Sequence, residues 1–315
     1  MPVAPHDPRS AAAQDKAGVL REALPWITRF HGKTVVIKYG GHAMVDDELK
    51  RSFAADVALL HFVGLKPVVV HGGGPQITSL AEELGVASSF LGGLRVTTPE
   101  LMDVVRMALL GQVNPEVVGL VQAAGAAAVG VSGTDAGTLR VRPAVGPAGE
   151  DLGLVGEVEH VDTTYLTDLL ADGFLPVVAT VGRDAEGNER NVNADLAAGA
   201  IAAALGASKL VYLTDVPGLY LDFGAEDSLL SEISVDRLEE MLARDELHAG
   251  MRPKVTSIVR ALKDGVPQAH ILDGRVLHAV LIEIFTDEGV GTMVTHAAGG
   301  DEGVLLEHDR PGGAA

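Results

Sequence analysis

The chain has 315 residues, room for one large α/β domain or two modest lobes, and 47% of them are apolar, which excludes disorder over its whole length. A formal net charge of −19 with only 4% aromatic residues argues against nucleic acid or an anionic membrane as the main partner. There are no cysteines, which excludes a disulfide framework, a thiolate metal site and a cysteine nucleophile, and fits a reducing, cytoplasmic setting. A small anionic ligand is still compatible, because a few amides and lysines can reverse the field inside a cleft.

Residues 1–9 are proline-rich and read as loose. Apolar positions Ala13, Ala17, Leu20, Leu24 and Ile27 recur at helical spacing, so an amphipathic helix is expected over 13–27, with Pro25 kinking or ending it. It precedes the first strand and belongs to no βα repeat. Residues 34–39 (TVVIKY) read as a buried parallel strand, 46–63 as a helix stopped by Gly64, 67–71 as a second strand and 76–84 as a helix ended by Gly85. Helices follow from Thr98-Pro99-Glu100 toward Leu110 and over 114–124, then a strand over 127–131.

Residues 139–161 carry short apolar stretches among glycines and read as strands or hairpins on the sheet edge. Then come a helix (162–170), a strand (174–181), a turn (184–188), an alanine-rich helix (194–205) and a strand (209–214). Helices are expected over 235–243, 253–263 and 276–285, the last flanked by short strands at 269–272 and 292–294. No uninterrupted apolar run of about 18 residues marks a membrane span. Met1–Asp7 lacks the pattern of a secretory signal. This alternation predicts an open, mostly parallel sheet with helices on both faces, and ligands beyond the carboxyl ends of its strands.

Those ends carry the polar residues. Strand one ends in Lys38-Tyr39-Gly40-Gly41 and strand two in His71-Gly72-Gly73-Gly74-Pro75. Glycines let backbone amides approach anionic oxygens, and a following helix N-terminus adds positive potential. A single such turn equally suits a tight strand-to-helix connection; two together, one bearing a lysine, point to phosphate. Neither G-x-x-x-x-G-K-[ST] nor a G-x-G-x-x-G after the first strand occurs. Asn191-Val-Asn193-Ala-Asp195 is either helix-cap chemistry or a substrate and cation site. Thr214-Asp215 before Gly218, and Lys254 before a helix, close the set.

Taken in order over residues 34–294, VIKYGG, VVHGGGPQI, GLRVTTPE, GVSGTDAG, NVNADLAAGAIA, VYLTDVPGL, GMRPKV and FTDEGVGTM resemble the amino-acid kinase family. GLRVT together with NVNAD points to its branch acting on N-acetyl-L-glutamate. The resemblance implies a three-layer αβα sandwich around an open, mainly parallel sheet, with an extra N-terminal helix in residues 1–31. It implies an N-lobe over 32–208 for the acidic substrate, a C-lobe over 209–298 for ATP, and a loose tail over 299–315. The implied reaction is ATP-dependent phosphorylation of the side-chain carboxylate of N-acetyl-L-glutamate, a step of arginine biosynthesis.

Carried over position by position, Lys38 and Lys254 are the catalytic lysines and Asp195 the carboxylate that offsets their repulsion. Gly73, Gly74, Arg95 and Asn191 bind the acidic substrate. Gly40, Gly41, Thr214, Asp215 and Gly218 lie by ATP. Mg²⁺ comes with ATP, held by phosphates and water, so no protein metal site is implied.

The N-terminal helix resembles the extra helix of arginine-inhibited hexamers built as trimers of dimers, and His270, Glu283 and Gly289 resemble their L-arginine site. A PII-type regulatory partner leaves no readable mark. The family usually has two glycines before the methionine of the lysine motif, where this chain has His248-Ala249-Gly250, and Arg252 stands where an apolar residue is common. Rival readings are a kinase for N-acetyl-aminoadipate, a catalytically silent arginine or nucleotide sensor, and a nucleotide-monophosphate kinase.

Overall fold

In the computed structural model, residues 8–221, 225, 228–244, 246–247, 250–286, 289–296 and 304–305 are described. Residues 1–7 of the expected loose start, His248-Ala249 and most of the expected tail therefore lie outside the described residues, whereas Pro8 and Arg9, expected to be loose, already belong to the first helix. The elements run α1 (Pro8–Phe30), β1 (Thr34–Tyr39), α2 (Asp47–Phe62), β2 (Lys66–His71), α3 (Gly74–Glu83), β3 (Ser89–Leu91), β4 (Leu94–Val96), α4 (Pro99–Ala108), α5 (Asn114–Ala123), β5 (Ala128–Ser132), β6 (Leu139–Val145) and β7 (Asp151–Val161). They continue with α6 (Thr164–Ala171), β8 (Leu175–Ala179), β9 (Val181–Arg183), β10 (Glu189–Val192), α7 (Ala194–Ala204), β11 (Lys209–Thr214), β12 (Leu230–Ser234), α8 (Val235–Ala243), α9 (Arg252–Lys263), β13 (Gln268–Asp273), α10 (Ala279–Phe285), β14 (Gly291–Thr295) and β15 (Val304–Leu305).

Among the described residues one nine-stranded sheet has the order β15-β12-β14-β13-β11-β1-β2-β8-β5. Six of its neighbouring pairs are parallel; β13–β14 and β12–β15 are antiparallel. Strand period two sorts its side chains into two cores. Val36, Val68, Val70, Val178 and Tyr212 pack with α6, α7, α8 and α9. Val35, Ile37, Val69, Val177 and Val211 pack with α2, α5 and α10. The result is the three-layer αβα arrangement, because strands apolar on both faces need a helical layer on each.

Several expectations are corrected. Residues 139–161 do not extend the edge of this sheet: β6 and β7 close a separate four-stranded barrel with β9 and β10. Inside it Arg190 Nε sits 2.6 Å from Asp184 Oδ2, a buried pair tying β10 to the 184–188 turn. Pro25 does not end α1, which continues to Phe30; proline removes only one backbone donor, and Thr28 Oγ1 donates to the carbonyl of Leu24.

The two helices expected around Leu110 join through a π-helical turn, Leu109–Val113. The joined stretch Pro99–Ala123 is long and apolar enough to cross a membrane by length and composition. Here its apolar face packs into the core through Leu101, Val105, Val117 and Val121, and it carries Asp103, Arg106 and Glu116. The helix expected from 276 begins at Ala279, because His278 takes a left-handed conformation (φ 60°). Residues 304–305, inside the expected loose tail, form an edge strand on β12.

Candidate active site

The site follows from the two alternations of the fold. On β1, period two puts Lys38 on the face of Val36, toward α7 and α9. Asp195 is in the first turn of α7 and Lys254 in the first turn of α9. Lys38 Nζ lies 3.1 Å from Asp195 Oδ1, and Lys254 Nζ lies 3.1 Å from Asp195 Oδ2. Two ammoniums thus share one carboxylate. Lys254 stands at the positive end of its helix, where a cation is disfavoured, and Asp195 offsets that.

Burial by itself would raise the Asp195 carboxyl, but Lys254 and Lys38 outweigh it and hold the group well below the usual carboxylate range. Burial pushes the Lys254 ammonium down to about 8 against the attraction of Asp195. Tyr212 OH donates to Ser257 Oγ (2.7 Å), which donates to the Asp195 carbonyl (2.5 Å). The Tyr212 ring lies 5.1 Å from Lys254 Nζ. Sequence reasoning missed Ser257 and Tyr212; Ser257 lies three residues after Lys254, on the same helix face.

Two cavities meet at this triad. The larger, about 720 Å³, is lined by Lys38, Gly40, Gly41, Gly73, Gly74, Arg95, Asn191 and Asp195. The second, about 240 Å³, is lined by Thr214, Gly218, Tyr220, Leu247, Met251 and Lys254. Asp215, next to Thr214 in the chain, lies against Gly41, where a Cβ would collide with its carboxylate. Gly41 has φ +72°, the region that favours glycine.

At the far end of the larger cavity, Arg95 donates to Ser88 Oγ (2.5 Å), the Gly74 carbonyl (3.0 Å) and Thr78 Oγ1 (2.9 Å). Its guanidinium lies 4.5 Å over the ring of Phe90. Three of its five N–H groups are used in this way, leaving two for a ligand. Asn191 Nδ2 donates to Thr97 Oγ1 (3.2 Å), which donates to the Arg95 carbonyl (2.8 Å). Sequence reasoning missed the hairpin β3–β4 that carries Phe90 and Arg95. Gly92-Gly93 between two short apolar runs was the available signal.

A family model described as the amino acid kinase family matches residues 33–273. The chain belongs to that family. It is also 55% identical over 301 residues to the acetylglutamate kinase of Saccharopolyspora erythraea, covering 95% of this chain and 99% of that one. Among solved structures, the N-acetylglutamate synthase of Neisseria gonorrhoeae complexed with coenzyme A and N-acetyl-glutamate superposes with a TM-score of 0.79 at 27% identity, over 90% of this chain and 64% of that one. The same synthase with coenzyme A and L-arginine gives 0.75 at 28% identity, over 90% and 66%. This chain therefore spans about two thirds of the synthase.

The glycine turns after β1 and β2 both line the larger cavity. Asn193 accounts for the cap reading of its segment: its Oδ1 accepts from the amides of Asp195 (2.9 Å) and Leu196 (3.1 Å). Asn193→Ala is expected to cost about 1 kcal/mol. The check is a lower denaturant midpoint with an unchanged slope.

His270, Glu283 and Gly289 are not at this site. His270 Nδ1 lies 2.5 Å from Glu283 Oε1, His270 Nε2 lies 3.0 Å from Lys209 Nζ, and Val290 N donates to Glu283 Oε2 (3.2 Å). A Cβ on Gly289 would sit 3.7 Å from Glu283 Oε2. Burial pushes Lys209 down to about 8 against the attraction of Glu283. Lys209 Nζ also lies 5.2 Å from the ring of Phe30, at the end of α1. Among the described residues no group of three or more His, Asp or Glu is arranged to hold a metal ion.

Proposed function

We propose that this chain transfers the γ-phosphoryl group of ATP to the side-chain carboxylate of N-acetyl-L-glutamate, giving ADP and N-acetyl-L-glutamyl 5-phosphate in arginine biosynthesis. The observation that carries the reading is the pair of ammoniums held on Asp195 where the two cavities meet. Its near-full-length similarity to an acetylglutamate kinase supports the choice of acid.

The chemistry asks little of a proton shuttle. A side-chain carboxylate of this type ionises near about 4.3, so it is already nucleophilic at neutral pH. One of its oxygens attacks the γ-phosphorus as the bond to the bridging β–γ oxygen breaks, and ADP carries that oxygen away. The difficulty is bringing an anion to a polyanion, so positioning and electrostatics do the work. Lys38 and Lys254 meet the negative charge on the transferring phosphoryl, and Asp195 holds the two cations together beforehand.

Amides near Gly41, Gly73 and Gly74 hold phosphoryl and acceptor oxygens. Arg95, whose Nε–H and one Nη1–H are still unused, pairs with the α-carboxylate by charge and a single charge-assisted hydrogen bond, and Asn191 takes the acetamido region. Gly40, Thr214, Asp215 and Gly218 lie along the nucleotide. In this division residues 32–208 serve the acid and 209–298 the ATP. Mg²⁺ would be held by phosphates and water, since both Asp195 oxygens already face ammoniums.

The same reading places the enzyme in the cytoplasm as a homo-oligomer, a hexamer joined through α1, whose Val19, Leu20 and Leu24 are exposed. It takes L-arginine as inhibitor at His270, Glu283 and Gly289. ADP release is the test. Turnover with N-acetyl-L-glutamate should exceed that with N-acetyl-aminoadipate by about tenfold or more, the worth of one methylene, and should fall by about 10²- to 10³-fold in Lys38→Ala. Millimolar L-arginine should slow it. Equal rates for the two acids, or none with either, would overturn the substrate assignment.

A further inference from the structure

Gly73 has no side chain with which to hold its own peptide plane, so its amide must be aimed from elsewhere. The buried side of the loop supplies the means. His71, fully buried at the end of β2, has Nδ1 2.7 Å from the carbonyl of Gly72 and Nε2 3.0 Å from Asn114 Nδ2. Asn114 Nδ2 also lies 2.8 Å from the carbonyl of Val177. A carbonyl only accepts, which places the protons. Nδ1 carries the ring proton, Asn114 turns its NH₂ toward Val177 and the ring, and Nε2 accepts.

The imidazole is therefore neutral and in one tautomer. Protonating Nε2 would set one N–H against another. Burial already pushes the ring down to about 4, outweighing the Gly72 bond.

The Gly72 carbonyl and the Gly73 N–H belong to one planar trans peptide, so they point in opposite directions. Holding the carbonyl inward on His71 turns the Gly73 N–H outward. Gly73 lines the larger cavity, and its N–H has no acceptor among the described residues. The π-helical turn completes the device. Asn114 follows it directly, and its Leu109 and Val113 form the floor under Gly73, where a Cβ would lie 2.6 Å from Leu109 Cδ2 and 3.2 Å from Val113 Cγ2. Irregular turns of this kind recur at functional sites.

We infer that His71, locked by Asn114, is a positioning residue for phosphoryl transfer: through the Gly72 carbonyl it aims the Gly73 amide at the transferring or acceptor oxygen. The inference rests on the kinase reading, and wild-type turnover tests that reading separately. His71→Leu should lower kcat about 10²-fold, the low end of the loss for one missing oxyanion donor, with the KM for N-acetyl-L-glutamate within about threefold. His71→Asn presents an N–H near the Nδ1 position and should keep kcat within about fivefold of wild type; His71→Gln reaches only the Nε2 position and should behave like the leucine variant.

¹⁵N NMR of the histidine rings in wild-type protein gives a readout independent of turnover and of variant folding, with the His71 signal assigned by its loss in His71→Asn. A neutral Nδ1–H ring unchanged from about pH 5.5 to 8.5 is expected. An Nε2–H ring, wild-type kcat in His71→Leu, or equal losses in all three variants would overturn the inference.

Discussion

Asp195→Asn is expected to lower kcat by about 10²- to 10³-fold at pH 8 and to move the alkaline limb of the kcat profile to lower pH. The sign follows from the geometry. Burial lowers Lys254, and the attraction of Asp195 works against it; with both in place the ammonium stands at about 8. Asparagine keeps the shape of the carboxyl and removes its charge, so burial and the repulsion from Lys38 are opposed only by the smaller attraction of Asp215, and Lys254 falls further. The lysine then loses its proton at working pH, and a cation is missing where the phosphoryl charge develops.

Acidification should restore part of the rate in Asp195→Asn. Lys38→Met should shift the limb the opposite way, because it removes a like charge from beside Lys254, even though its own loss costs kcat. Profiles of kcat under saturating substrates over about pH 6–10 would decide the matter. An alkaline limb at the same pH in wild type and Asp195→Asn would sink the account of Asp195 as the charge that keeps Lys254 protonated.

Arg95→Ala is expected to raise the KM for N-acetyl-L-glutamate about 10²-fold, within the 2–5 kcal/mol typical of removing one partner of a buried charge pair. The effect on kcat should be smaller, because the α-carboxylate is remote from the reacting oxygen. Arg95→Lys should recover little. A single ammonium, with three donors, cannot hold Ser88, Gly74 and Thr78 and still have an N–H left for a ligand. The acceptor itself supplies the control. 4-Acetamidobutyrate keeps the acetamide and the reacting carboxylate but lacks the α-carboxylate. Wild type and Arg95→Ala should therefore use it with similar kcat/KM; a persisting 10²-fold gap would show that Arg95 acts on the loops and not on the α-carboxylate.

Much of the scaffold could be read from local patterns. TVVIKY, KPVVVH and KLVYLT are apolar on both faces, and they form β1, β2 and β11 at the centre of the sheet. Glycine turns at the ends of β1 and β2 were legible because only such backbone lets amides approach an anion. Elements with weak local signals were not. β12 (LSEIS) is half polar, and the strands at 139–161 alternate apolar residues with glycines in a way that suits an edge or a barrel equally. The choice between those two depended on pairing with β9 and β10, 20 to 50 residues away.

Residue types and turn chemistry were therefore set along the chain: a lysine at a strand end, an asparagine capping a helix, an arginine beside a double glycine. Three-dimensional packing alone decided that Lys38, Asp195 and Lys254 share one carboxylate, that His71 meets Asn114, and that Lys209 lies against His270. The physical reason is range. Propensity and capping act over about four residues, whereas these contacts join residues 43 to 157 positions apart, and the sheet order brings them together.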